Sequence, residues 1–128
     1  MKTLKYIFVI GLLVSGLGGC KYDFIVPEEI PVSDPDNPVS FATQIVPIFT
    51  TDNCTSCHFT GTGGHSPDLT GTNIYSEIVP ALVDTLDPES SIIYDYPAPS
   101  TDKHSWKKYS SAQAAYILTW IEEGAKNN

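Results

Sequence analysis

The sequence predicts an all-α domain of short helices joined by long loops, and three features carry that prediction. Near the C-terminus, Ser110-Ser111-Ala112-Gln113 fits a capping box, Ala114, Ile117, Leu118 and Ile121 follow as an apolar stripe, and Gly124 with Lys126 supplies a stop. Upstream, Ser40 can cap a helix from Phe41 to about Phe49, with Phe41, Ile45, Ile48 and Phe49 on one side. Between these two helices, prolines and glycines divide the chain into pieces too short for long elements.

Taken in order, the first helix carries Pro47 in its interior, a cost that predicts a kink. Thr51 to Leu69 reads as loop, with Gly61, Gly63 and Gly64 in quick succession. Thr72 can start a short helix to about Val79, which Pro80 interrupts or ends. Asp87-Pro88 sets a capping acid before a proline suited to the first helical position, opening a short helix through Tyr94. Tyr96 to Lys108, with Pro97 and Pro99, reads as irregular. In the last helix Tyr116 and Trp120 lie one turn apart on a face adjoining the stripe, where core packing is their ordinary use. No internal repeat is visible.

A length of 128 residues allows one small domain with extensions. Residues 1–19 have the layout of a secretory signal: Lys2 and Lys5, an apolar run from Tyr6 to Val14, then Ser15-Gly16-Leu17-Gly18-Gly19. The apolar run is too short for a bilayer span. Leu17-Gly18-Gly19-Cys20 resembles the lipobox of bacterial lipoproteins, which implies cleavage before Cys20 and a lipid on its thiol. The other reading is an ordinary cleaved signal with a cysteine at its border. Residues 20–40 then read as a tether, with Pro27, Pro31, Pro35 and Pro38 among Asp23, Glu28, Glu29, Asp34 and Asp36. Phe24, Ile25 and Val26 leave open an arm packed along the domain, which itself spans 41–128.

Seven Lys, no Arg and fifteen acidic residues give a net charge of −8. Removal of 1–19 leaves five Lys against fifteen acids, a balance of −10. Such a surface repels nucleic acid and anionic headgroups and favours partner proteins with basic docking patches.

Three Cys is an odd count, which disfavours a pure disulfide framework. Cys54-Thr55-Ser56-Cys57-His58 is the Cys-x-x-Cys-His signature of covalent c-type haem attachment. Cys54 and Cys57 are the thioether positions and His58 the proximal iron ligand. The alternatives for such a pair are zinc and a redox disulfide. A zinc site wants further ligands, and only His65 and His104 remain; a thioredoxin-like site wants a preceding strand, which is not evident. About 85 residues of short helices make a weak core, which a covalently held macrocycle would reinforce.

Ile45-Val46-Pro47-Ile48-Phe49 before this motif, Ser66-Pro67-Asp68-Leu69-Thr70-Gly71 after it, and the ending Trp120-Ile121-Glu122-Glu123-Gly124-Ala125 are similar to small single-haem cytochrome c domains of bacterial lipoproteins. The likeness spans about Phe41 to Ala125, and only the haem motif in it is highly specific. It implies first and last helices crossing beside one haem c, and a Pro67 carbonyl accepting a hydrogen bond from His58. Many relatives place a methionine before the final helix as sixth iron ligand. The single Met here is Met1, so the mature chain has none. Of the two remaining histidines, His65 would be held on the His58 side if Pro67 orients that ring. His104, roughly where relatives carry methionine, is therefore the expected sixth ligand. The alternatives are an open or water-bound site with His104 on the surface, or Lys103 as ligand.

These readings imply a non-enzymatic electron carrier on the extracytoplasmic side of a membrane. Lys21 after the anchor resembles outer-membrane lipoproteins. A haem-based binder of small gases, and a non-redox surface lipoprotein stabilised by haem, share most of the same residues.

Overall fold

The computed structural model of the chain describes residues 29–128. The signal-like segment, Cys20 and the first part of the expected tether lie outside the described residues. All regular structure among the described residues is helical, as the sequence predicts. These residues form four α-helices: α1 (Val46–Thr51), α2 (Ile74–Ile78), α3 (Ile92–Asp95) and α4 (Ser111–Glu122).

Ser40 opens the first run. Its hydroxyl accepts from the Thr43 amide at 3.3 Å, and its own amide donates to the Gln44 side chain at 2.7 Å. The run starts as a π-helical turn over Phe41–Ile45 and tightens into α1 at Val46. Pro47 explains the change of register: it lacks an N–H, and its ring crowds the carbonyl four residues back. The wider turn just before it, with Ile45 N donating to the Ser40 carbonyl at 3.3 Å, accommodates the ring where a kink was expected. Phe41, Ile45, Ile48 and Phe49 are all buried.

The last helix forms over the predicted residues. Ser110 Oγ accepts from the Gln113 amide at 3.2 Å, and the Gln113 side chain accepts from the Ser110 amide at 2.7 Å, a complete capping box. At the other end Gly124 adopts φ +95°, which a side chain disfavours. The Gly124 and Ala125 amides then donate to the Ile121 and Trp120 carbonyls at 2.9 and 2.8 Å, the Schellman pattern. Ala114, Ile117 and Ile121 of the predicted stripe are buried, but Leu118 is only half-buried, and Thr119 and Trp120 are buried instead. Trp120, 1 % exposed, is what rotates the buried face: its ring lies 5.2 Å from that of Phe41, and Tyr75 of α2 meets Phe41 edge-on at 5.3 Å. The first and last helical runs are thus neighbours, joined through aromatic rings. Tyr116 also packs against this core. Replacing Ser110 with Ala should cost about 1 kcal/mol through the lost cap, read as a lower midpoint in chemical denaturation with unchanged slope.

The middle of the chain departs more from expectation. α2 is shorter than 72–79 and stops before Pro80. The helix expected from Pro88 through Tyr94 forms as two pieces, a 3-10 turn Pro88–Ser90 and then α3. Ser91 breaks it. Its buried hydroxyl accepts from the Asp84 amide at 2.8 Å and donates to the Asp84 carbonyl at 3.2 Å, holding its backbone extended at ψ 127°. Asp87 makes no side-chain cap; the carboxylate of Asp84 accepts the amides of Leu86 and Asp87 instead. Residues 96–110 contain no helix, as predicted. Ahead of the first helix, the Val39 amide and the Ser33 hydroxyl donate to the two carboxylate oxygens of Glu123 at 2.7 and 3.0 Å. The segment from Ser33 therefore lies against the end of α4.

Candidate functional site

α1 delivers the chain to Asn53, whose left-handed backbone (φ 57°) turns it into a 3-10 turn over Cys54–Ser56. Asn tolerates that conformation better than most residues. The amides of Cys57 and His58 both donate to the Cys54 carbonyl, at 3.1 and 3.0 Å. One tight turn thus places both thiols and the His58 ring along the same cavity. Both cysteines are free thiols. Burial pushes the Cys54 thiol upward, and the neighbouring Asp52 carboxylate adds to the shift.

The chain beyond the motif folds back on it. Gly64 permits this return: a Cβ there would stand 1.9 Å from the Phe59 carbonyl oxygen. The His65 amide donates to Cys57 O at 2.8 Å and the Leu69 amide to His58 O at 3.0 Å, so 65–69 runs beside the motif. Asp68 secures the bend, accepting from the hydroxyls and amides of Thr60 and Thr70, which hold its carboxyl well below the usual range. Pro67 is buried and shares a cavity wall with His58. The hydrogen bond implied between them is not made, because Nδ1 of His58 is buried without a partner. His65 is exposed and lines neither cavity beside His58.

His104 comes from the irregular segment after α3, more than forty residues away in sequence, and its ring stands opposite that of His58. The ring centroids are 6.0 Å apart and the planes differ by 24°. Nδ1 of His104 lies 2.8 Å from the Lys107 carbonyl oxygen. A carbonyl only accepts, so Nδ1 carries the hydrogen, and in the neutral tautomer this selects the lone pair sits on Nε2. The residue is half-buried and has φ +51°. Lys103 is committed elsewhere: its ammonium pairs with the Asp95 carboxylate, whose hydrogen bond raises its pKa, and it lines neither cavity.

Two cavities of about 210 Å³ each share Cys54, His58 and His104 as common wall. One is walled by Asp52, Asn53, Ser56, Cys57, Trp106 and Lys107. The other is apolar, with Phe49, Leu69, Leu82, Ile93 and Tyr109 among its walls. Together they form a cleft with a thiol edge, an apolar depth and an imidazole on either side. Among the described residues no three His, Cys, Asp or Glu side chains converge as a metal-holding cluster.

Sequence reasoning missed several contributors. Trp106, 76 % exposed, sets its ring 4.6 Å from that of His104. Tyr109 is buried, its hydroxyl donating to the Ile93 carbonyl at 3.1 Å, and burial drives its pKa far up. Both lie in or beside a segment without periodicity, so no pattern marks them. The chain matches no family model, no curated protein and no solved structure.

Proposed function

We propose that this protein is a c-type cytochrome that carries single electrons, in which Cys54 and Cys57 would hold one covalent haem and His58 and His104 would bind its iron. The observation that carries the reading is the facing of these two imidazoles at 6.0 Å across a cleft edged by two free thiols. The residues present also fit the group in kind. Its apolar macrocycle matches the apolar cavity, whose wall includes His58 with its Nδ1 buried and without a hydrogen-bond partner.

When bound, the haem iron supplies one-electron redox chemistry. The Cys54 and Cys57 thiols would hold the haem covalently, and the His58 and His104 rings would bind its iron. His104, with Nδ1 bonded to a carbonyl, keeps Nε2 available as a donor, the arrangement in which an outer partner fixes ring orientation and basicity. Phe49, Leu69 and Ile93 give the depth of the cleft an apolar lining that would shield the group from water. Without a Met ligand, the potential is expected in the lower part of the c-type range. We further place the protein on the extracytoplasmic side of a membrane, anchored through Cys20, with basic-patched redox proteins as partners; the signal-like residues and the acidic balance support this.

The test combines intact mass with optical spectra. The mature protein should carry one haem and a lipid. The ferrous form should bind carbon monoxide slowly, whereas the His104→Ala protein should bind it readily, with a changed spectrum. A native protein that takes up the gas at once favours a gas binder over a carrier. An H104A spectrum identical to the native one removes His104 from the site.

A further inference from the structure

The left-handed backbone at His104 has to be held by something, since such a conformation costs about 1–2 kcal/mol for a residue with a Cβ and persists only where its surroundings over-determine it. The His104 ring itself bonds the Lys107 carbonyl through Nδ1 at 2.8 Å, and the Lys107 amide donates to the His104 carbonyl at 3.2 Å; the contacts that fix the peptide on its N-terminal side converge on one side chain. The Lys108 ammonium donates to the Tyr96 carbonyl at 3.1 Å, to Thr101 Oγ1 at 3.2 Å and to the Lys103 carbonyl. An ammonium has three N–H donors, and all three are used. The Lys103 carbonyl belongs to the peptide unit that leads into His104, so fixing that oxygen fixes the plane from which φ of His104 is measured. The other two acceptors anchor the ammonium to the end of α3: Thr101 Oγ1 itself donates to the Asp95 carbonyl at 2.9 Å. At the base of the loop the Tyr109 amide donates to the Pro97 carbonyl at 2.9 Å, which holds the neighbour of Lys108 in place.

We infer that Lys108 is a positioning residue: its ammonium locks the Lys103–His104 peptide and so keeps the His104 ring aimed across the cleft at His58. The inference rests on the axial role given to His104 above. Lys108 lines neither cavity, so it acts only through the backbone it holds.

The experiment uses the full chain, matured with haem, and compares native protein with Lys108→Met, Thr101→Val and His104→Ala. Losing charge-assisted hydrogen bonds should raise the fraction of molecules with His104 swung away, and the rate of carbon monoxide association with it, by about tenfold. Thr101→Val, which removes one of the three acceptors, should move the rate in the same direction by less. Far-UV circular dichroism should stay native in both, and added imidazole should restore the six-coordinate spectrum. If Lys108→Met yields no haem protein, Thr101→Val decides alone. Native gas-binding rates in these variants, beside an H104A protein whose site has opened, would overturn the role of Lys108. An H104A protein indistinguishable from native would overturn the axial reading instead.

Discussion

Replacing Trp120 with alanine is expected to remove about 3–5 kcal/mol of stability, a large share of the roughly 5–15 kcal/mol that holds a typical domain. The ring is 1 % exposed and lies against Phe41, so its loss opens a cavity where the first and last helical runs meet. Its indole N–H also donates to the Lys126 carbonyl at 2.9 Å, which secures the turn that ends α4. Little around the cavity can collapse to fill it, because Ile45, Ile117 and Ile121 beside it in the core are fully buried. Denaturant titration followed by circular dichroism reads the loss. A variant within about 1 kcal/mol of native would show that the aromatic junction contributes little beyond an ordinary surface contact.

Cys54→Ala with Cys57→Ala should give a second large effect, on both colour and stability. No haem should survive a denaturing gel, since no thioether can form. The cleft walls would then face solvent in a chain that already exposes Ile92 and Tyr96 at its edge, 43 % and 46 % respectively. A loss of about 3 kcal/mol would lower Tm by roughly 12–24 °C in a domain of this size. The comparison is native holoprotein against the double variant by thermal melting. A variant that keeps denaturant-resistant haem would refute thioether attachment at these positions, and equal Tm values would show that the group adds nothing to the fold.

The helices that bracket the domain were legible because their signals are local. The Ser110 and Gln113 exchange is written in four adjacent residues, and the Phe41, Ile45, Ile48 and Phe49 spacing needs only the helical period. What escaped depended on partners distant in sequence. Ser91 breaks its helix because its hydroxyl meets Asp84, seven residues back. Leu118 yields its place to Trp120 because Phe41 stands on that side. Pro67 reaches the wall beside His58, yet the expected bond between them is missing, and no spacing rule predicts either result. His104 was singled out because it lies roughly where the relatives it resembles carry a methionine, with His65 set aside only if Pro67 orients His58. That its ring stands 6.0 Å from His58 is a property of the folded loop, and neither Trp106 nor Lys108 could be connected to it from the linear chain.

The backbone at position 104 narrows which residues could stand there. With φ at +51°, the site admits glycine freely and asparagine, aspartate or histidine at modest cost, while long unbranched chains such as methionine pay for the same geometry. Of the tolerated set, histidine alone offers a strong neutral nitrogen donor. Under the proposed ligation, exchanging His104 for methionine would therefore carry a backbone cost in addition to the change of donor.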